Sequence, residues 1–279
     1  MKRLLAIELQ KIWKNRASKI LTLTYFILLT FLTLIAYIKF DIGPAHISLV
    51  DQGIFDFPLI WQFNTYFAAW MKIFLAVIIV SMMANEYSYG TLKQNLIDGM
   101  SKKEFVASKF LVIVLFAGIS TLFVFIVSLI LGLVYSPFNE PSIIFSQMEY
   151  LVAYFVKLLG FFSFCLFLGV LVKRSAFALG FLFIWFIFEF VSYGLIKYKF
   201  FDGDAPIFDK VHEFFPLESM SNLIIEPVSR LKAIRTIGNQ IGVENTKDYA
   251  VHFSSILIVL AWTAIFIFLS YKIIKKRDL

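Results

Sequence analysis

The chain has 279 residues, of which 60% are hydrophobic and only 16% are charged. A typical soluble domain is about 45–50% apolar and about 25% charged, so this composition excludes an ordinary soluble protein. The net charge of +7 does not indicate nucleic-acid binding, because the basic residues lie at the ends of long apolar runs. The single cysteine, Cys165, excludes an intrachain disulfide framework and a cysteine-based metal cluster.

The chain begins with a predicted amphipathic helix over residues 1–15. Its apolar face carries Leu5, Leu9, Ile12 and Trp13, and its other face is basic. A basic helix with tryptophan on its apolar face is typical of the membrane interface. We expect residues 1–17 to lie along the membrane surface, either as an anchor for the first span or as part of a docking surface.

Six apolar runs follow, each long enough to cross a bilayer, which requires about 20 residues. The predicted spans are residues 18–38, 61–83, 105–134, 150–172, 176–196 and 253–274. The first run is too long for the hydrophobic region of a signal peptide, so we expect it to be retained. The sequence therefore predicts an all-α integral membrane protein, with one six-span transmembrane domain over residues 1–279.

The lysine and arginine residues predict the orientation of these spans. Of the 26 basic residues, 16 fall at one side of the predicted bundle and eight at the other. Basic residues are enriched in cytoplasmic loops, so the first side is expected to be cytoplasmic. Both termini and the loop over residues 85–104 then lie inside, and the long loop over residues 197–252 lies outside.

The loop over residues 85–104 is a polar island between two apolar runs. Residues 91–98 are predicted to form about two helical turns, and Gly99 is a typical helix stop. Ser101 followed by Glu104 has the pattern of a capping box that begins the next helix.

Leu92 and Leu96 lie four residues apart and therefore share one face of this short helix. A helix of two turns is marginally stable by itself in water. We expect it to dock on another part of the assembly, as a lever between the membrane domain and a soluble partner would. The alternative is an ordinary solvated loop with a good helix cap.

Three charged residues lie deep inside predicted spans, far from the cytoplasmic ends: Lys72, Lys157 and Glu189. Such residues are rare in a membrane and usually face protein or water. One hypothesis is that Glu189 forms an ion pair with Lys72 or Lys157. The alternative is that each lysine extends its ammonium group to the outer headgroups.

The outer loop over residues 197–252 is too long for a simple turn. Two stretches within it have a helical hydrophobic period, so we expect two short amphipathic helices. They would cover the outer mouth of the bundle, or else lie passively at the membrane interface.

Enzyme signatures are missing from the sequence. It has no G-x-x-x-x-G-K-[ST] motif that would hold ATP and no H-E-x-x-H motif that would hold zinc. No nucleophile or acid–base pair stands out within the spans. We therefore expect no catalytic, cofactor-binding or metal-binding residues in this chain.

The string Glu86-Tyr87-Ser88-Tyr89-Gly90-Thr91 resembles the E-[YF]-x-x-G-T signature that follows the second span in membrane subunits of type-2 ATP-binding-cassette (ABC) exporters. Further agreement with that family is found at Leu96, Gly99, Ser101, Lys109 and the C-terminal Lys276-Arg277-Asp278-Leu279. The basic N-terminal helix is similar to the interfacial helix of the family.

The resemblance implies an ABC-2-type permease subunit in the plasma (cytoplasmic) membrane of a prokaryote. A separate ATPase chain would bind ATP and magnesium, and a second permease subunit would complete a homodimer or heterodimer. The residues that the resemblance assigns to ATPase coupling are Glu86, Tyr87, Gly90, Thr91, Leu92, Lys93, Leu96, Asp98, Gly99 and Ser101. The lipid bilayer is the other expected partner, and nucleic acid is not expected.

Two functions of other classes remain open from the sequence. An ion-coupled secondary transporter or channel would use Lys72 and Glu189 and would work without ATP. A membrane assembly or immunity protein would have the same topology without transport. The 34 phenylalanines suit export of an apolar or amphiphilic substrate and suit lipid-facing packing equally well, so composition leaves the substrate open.

Overall fold

The structure, a computed structural model, describes residues 2–34, 39–42, 45–48, 52–138, 140–200, 206–240 and 247–277. The helices are α1 (Lys2–Lys14), α2 (Arg16–Leu34), α3 (Leu59–Ala68), α4 (Lys72–Ser88), α5 (Thr91–Ile97), α6 (Lys102–Tyr135), α7 (Pro141–Ile144), α8 (Glu149–Val172), α9 (Ser175–Phe200), α10 (Pro206–His212), α11 (Pro216–Ser221), α12 (Lys232–Gln240) and α13 (Phe253–Lys276). Short 3₁₀ turns occupy Ala69–Met71 and Val228–Arg230.

Five stretches of the described chain are helical, long and apolar enough to cross a membrane. They are Leu59–Ser88, Lys102–Tyr135, Pro141–Val172, Ser175–Phe200 and Phe253–Lys276. Each contains one of the predicted spans, so the prediction of a multispanning helical membrane protein is confirmed. The predicted first span corresponds to α2, and its last residues, 35–38, lie outside the described residues.

Strands β1 (Lys39–Ile42) and β2 (Ala45–Ser48) form an antiparallel hairpin in register Lys39 to Ser48. The sequence predicted only helices, so this hairpin is a difference from the predicted all-α fold. It follows α2 in the loop that leads to α3, and the rest of the described chain is helices and irregular connections.

Helix α8 forms the centre of the bundle, where it packs against α4, α6, α9 and α13. Most of its side chains are buried, including Tyr154, Phe162 and Cys165. A helix that is apolar on every face is suited to such a position, because each face meets another apolar helix. Cys165 is a free, buried thiol, in agreement with a packing role.

Helix α9 lies at the periphery. Only Ala178, Leu182 and Glu189 are buried along its 26 residues, and large side chains such as Phe183 and Phe190 are exposed. An apolar surface of this kind is stable only against lipid or another apolar protein surface. The fold therefore leaves α9 available to the membrane or to a second subunit.

The loop predicted to lie outside contains the expected short helices, but α11 does not lie on the surface. Met220, Leu223 and Ile224 are at most 2% exposed, and α11 packs against α8, α9 and α13. We call residues 216–225 the outer plug. The Nε2 atom of Gln62 on α3 donates a hydrogen bond to the carbonyl oxygen of Ile225, 2.9 Å away, at the end of the plug.

Candidate functional site

The loop between α4 and α6 has the predicted local structure. Helix α5 occupies Thr91–Ile97, one residue shorter than expected. Gly90 precedes it with φ +67° and Gly99 follows it with φ +95°. These left-handed conformations favour glycine, which has no Cβ to clash with the backbone. The two glycines thus set sharp changes of direction at both ends of α5.

Helix α6 begins with the predicted capping box. The hydroxyl oxygen of Ser101 accepts a hydrogen bond from the backbone N–H of Glu104 at 3.1 Å. The carboxylate of Glu104 accepts one from the backbone N–H of Ser101 at 2.9 Å. Both bonds satisfy N–H groups that the helix geometry leaves without a partner. The start of α6 is therefore firmly defined, one residue after the turn that ends the loop.

Helix α5 has one buried side and one exposed side. Leu92 is 1% exposed, and Leu96 packs against the core. On the other side of α5, Lys93 is exposed and Ile97 is 74% exposed, and Tyr89, which follows the end of α4 just before the helix, is 75% exposed. Leu92 and Leu96 thus share one face, as predicted, and this face lies against the core of the chain itself, whereas Ile97 leaves a large apolar side chain on the outward face.

A buried charge cluster lies where the N-terminal helix meets α4 and α6. We call Glu8, Lys11, Glu86 and Lys109 the charge cluster. The ammonium nitrogen of Lys109 lies 2.6 Å from a carboxylate oxygen of Glu8 and 2.5 Å from one of Glu86. The ammonium nitrogen of Lys11 lies 2.8 Å from the same oxygen of Glu86. Two carboxylates thus face two ammonium groups.

Burial makes the pairing in this cluster obligatory. The side chains of Glu8, Glu86 and Lys109 are 5%, 3% and 1% exposed. A charge in such a position is stable only when it is paired and hydrogen-bonded. Lys11 is more exposed. Partial burial lowers its pKa, but the hydrogen bond and charge of Glu86 and the charge of Glu8 outweigh this effect and raise the pKa overall.

Glu86 also connects the cluster to the short helix. The hydroxyl of Thr91, the first residue of α5, donates a hydrogen bond to the second carboxylate oxygen of Glu86 at 2.5 Å. One side chain therefore contacts α1, α5 and α6, and itself belongs to α4. The sequence analysis singled out Glu86 and Thr91 through the E-Y-x-x-G-T string, and the structure brings them into direct contact.

Tyr87 contacts the C-terminal end of the chain. Its hydroxyl oxygen accepts a hydrogen bond from Arg277 at 2.6 Å, and the guanidinium group lies 5.4 Å from the centre of its ring. Arg277 also donates to the carbonyl oxygens of Val170 and Leu171 at the end of α8. A cation is favourable there because the carbonyl groups at a helix C-terminus carry partial negative charge.

The remaining predicted site residues lie around these contacts. Lys93 and Asp98 are exposed, and Asp98 ends α5 with its backbone N–H bonded to the carbonyl oxygen of Gln94 at 2.9 Å. The C-terminal residues Asp278 and Leu279, which carried part of the resemblance, lie outside the described residues. Helix α1 presents Glu8 and Ile12 to the bundle, whereas Trp13 is 54% exposed.

The three ionisable residues within the spans do not form the predicted ion pair. Neither Lys72 nor Lys157 approaches Glu189 within ion-pair distance. Glu189 instead accepts hydrogen bonds from the backbone N–H groups of Leu217 and Glu218 at the start of the outer plug, at 3.0–3.2 Å. The pairing hypothesis failed because periodicity places residues within a span but does not show that the outer loop folds back into the bundle.

Glu189 has one further partner in its own helix. The indole N–H of Trp185 donates to its carboxylate at 2.6 Å, one helical turn away. Lys157 is 5% exposed and donates to the carbonyl oxygen of Ser221 at 3.3 Å, at the opposite end of α11. Lys157 does not extend into solvent, so the headgroup alternative does not describe its contacts.

Glu8 is the functional residue that sequence reasoning missed. It occupies the same face of α1 as Leu5 and Ile12, three residues after one and four before the other. An acidic residue within an otherwise apolar face of a basic helix was the available signal. Lys109 was noted as a basic residue at the edge of a span, but its two buried partners come from distant parts of the chain.

Comparison with known proteins gives a family and no activity. None of the curated proteins matches this chain. The family described as "Protein of unknown function (DUF2705)" matches residues 33–279, which include the loop with α5, the outer plug and every candidate span. The chain therefore belongs to the DUF2705 family.

Proposed function

We propose that this chain is the permease subunit of a type-2 ABC exporter in the plasma membrane of a prokaryote. In this proposal α2 is the first of six spans and α5 is the coupling helix that contacts a separate ATPase. The observation that carries the proposal is the charge cluster, which joins the N-terminal helix, α4 and α6 directly beside α5. The resemblance of residues 86–91 to the signature of type-2 ABC permease subunits is the reason for proposing this class of exporter.

The connections of α5 suit it to transmit force. Glu86 receives the Thr91 hydrogen bond at one end of the helix, and the Ser101 capping box follows the other end. Leu92 fixes the helix to the bundle by burial. A displacement of α5 would therefore also move α4, α6 and α1, because the Glu86 side chain contacts all of these helices.

The exposed side of α5 suits it to bind a partner. Tyr89 and Ile97 expose about three quarters of their side chains in a polar loop, next to Lys93. Aromatic and aliphatic anchors of this kind dominate the binding energy of many protein interfaces. The ATPase chain would bury them and would supply the ATP and magnesium, since the sequence of this chain lacks a P-loop.

The bundle itself suggests how the assembly would be completed. The apolar side chains of α9 are largely exposed, as are those on parts of α6 and α13. A second permease subunit, identical or different, and the bilayer would cover them. The export path would lie between the two subunits, and an apolar or amphiphilic substrate is one that the phenylalanine-rich bundle would suit.

The alternative of ion-coupled transport would use Lys72 and Glu189 within the membrane. In the described residues Glu189 is engaged with Trp185 and with the outer plug. This arrangement supports a structural role for Glu189 and favours the exporter over the ion-coupled transporter.

The experiment is purification of the tagged chain from its native membranes, with identification of P-loop ATPases in the complex. We expect a stoichiometric ATPase with the unchanged chain and with the control Ile97→Val. Ile97→Glu should remove the ATPase because it places a charge in the buried centre of the contact. An absent ATPase, or equal amounts with all three proteins, would refute the proposal.

A further inference from the structure

A cavity of about 400 Å³ lies between α4, α8, α9 and the outer plug. Its walls are mostly apolar and include Val77, Phe161, Leu179, Leu182 and Met220. This volume falls within the range of about 300–1,000 Å³ that is typical of small-molecule sites. The cavity is separate from the charge cluster and from α5, so the proposed coupling function does not account for it.

One lysine lines this cavity, and a second lies beside its wall. Lys72 lines the cavity, and its ammonium nitrogen lies 4.5 Å from the centre of the Phe161 ring. Lys157 is one helical turn before Phe161 on α8 and therefore lies on the same face. Its ammonium group donates to the carbonyl oxygen of Ser221, which also lines the cavity.

Neither lysine lies within ion-pair distance of a carboxylate in the part of the chain that the structure describes, and the acidic group that acts on Lys157 from farther away is Glu218. The contacts of Lys72 and Lys157 are an aromatic ring and a backbone carbonyl group, which do not neutralise an ammonium charge. Two cations in an apolar part of a membrane protein are costly when no anion accompanies them. An anion at this end of the cavity would therefore stabilise the charged form of both lysines.

The cavity is accessible from the side of the bundle. Ile73 on α4 and Phe183 and Phe186 on α9 line it and are 45%, 64% and 58% exposed. These side chains belong to helices that are long and apolar enough to cross the membrane. The gap between them therefore opens toward lipid, and an occupant would enter from the bilayer.

We propose that this cavity binds a single-chain anionic amphiphile of the fatty-acid type. Its carboxylate would accept charge-assisted hydrogen bonds from Lys72 and Lys157, and its acyl chain would lie along Val77, Leu179 and Phe183. The cavity volume suits one chain, and the paired cations select against zwitterionic and cationic lipids. The proposal concerns binding by this chain alone and does not depend on an ATPase.

The experiment uses the purified chain in nanodiscs of phosphatidylcholine, without an ATPase. Spin-labelled stearate, phosphatidylglycerol and phosphatidylcholine are compared by the fraction of label that the protein immobilises. We expect the relative association constant to be about tenfold higher for stearate than for phosphatidylcholine, as is typical of a charge-assisted contact in an apolar site. Phosphatidylglycerol should bind more weakly than stearate because its second chain does not fit.

Variants test the two parts of the site separately. Lys72→Met and Lys157→Met should each bring the association constant for stearate close to that for phosphatidylcholine. Leu182→Trp should do the same by filling the cavity while both lysines remain. Lys199→Met is the matched control, because Lys199 is an exposed lysine at the end of α9. Gel filtration and circular dichroism establish that each variant is folded.

Three results would each overturn the proposal. The first is equal immobilisation of stearate and phosphatidylcholine by the unchanged chain. The second is tighter binding of phosphatidylglycerol than of stearate, which would assign the site to a two-chain lipid. The third is unchanged stearate binding in folded Lys72→Met and Lys157→Met. Since no ATPase is present, these results do not bear on the exporter proposal.

Discussion

Replacing Lys109 with methionine tests whether the charge cluster holds the N-terminal helix to the bundle. Methionine keeps most of the length and apolar character of the lysine stem, so the main loss is the ammonium group. That group contacts both Glu8 and Glu86, at 2.6 and 2.5 Å. Without it, two buried carboxylates would share Lys11 as their one remaining partner within the cluster.

The expected cost follows from the burial of the three side chains. Removing one partner of a buried ion pair typically costs about 3–5 kcal/mol, because a charge remains buried without compensation. Lys11 is 38% exposed at its side chain and still reaches Glu86 at 2.8 Å. We therefore expect the lower part of that range, about 3 kcal/mol, for Lys109→Met.

The assay is the free energy of unfolding in mixed micelles, measured by titration with sodium dodecyl sulfate and followed by circular dichroism. The matched control is the double variant Lys109→Met, Glu8→Gln. It removes one positive and one negative group and leaves the pair of Glu86 and Lys11. We expect it to be about 1–3 kcal/mol more stable than additive single effects would give, because the two groups are in contact.

Two outcomes would contradict this reasoning. One is a Lys109→Met variant as stable as the unchanged chain, which would mean that the cluster carries no net stabilisation. The other is a double variant whose loss equals the sum of the single losses. In that case Glu8 and Lys109 would contribute independently to stability, and their ion pair would not be what holds α1 against α6.

Two further predictions concern the packing of α6 and the outer plug. Gly132→Ala should lower the free energy of unfolding by about 1–3 kcal/mol, because its Cβ would overlap the Phe57 ring. Gly118→Ala, with open space around its Cβ, should be neutral or slightly stabilising in the same titration. Equal effects of the two glycine variants would show that α6 shifts to relieve the clash. Glu189→Gln should lower the free energy of unfolding by about 1–3 kcal/mol and speed proteolysis of the outer loop. The reason is that an amide accepts fewer hydrogen bonds than the carboxylate that now accepts one from Leu217. Unchanged proteolysis would refute the role of Glu189 in the plug.

Short sequence patterns were sufficient to predict most features that lie within one helix or one turn. Gly90 and Gly99 mark the ends of α5 because the backbone there needs positive φ. The pattern of Ser101 and Glu104 is sufficient for a capping box, since both partners are three residues apart. The ends of the spans followed from apolar length, and the structure extends them by a few residues of polar or mixed character.

Contacts between distant parts of the chain could not be obtained from the same signals. Glu8 and Lys109 are 101 positions apart, and their pairing depends on how α1 crosses the start of α6. One of the two hypotheses for the charges within the spans paired Glu189 with a lysine, because it considered charge alone. The actual partners of Glu189 are backbone N–H groups of the outer plug, and every residue offers such a group, so composition does not distinguish them.

The length of α6 has a mechanical consequence. Its 34 residues form one uninterrupted helix that begins at the Ser101 cap and packs at its far end, through Gly132, against Phe57. At 1.5 Å per residue the rod is about 51 Å long, so a tilt of about 10° at the capped end would displace the other end by roughly 9 Å. A small rotation of α6 beside α5 would thereby be amplified into a movement about as wide as a helix at the other end of the bundle.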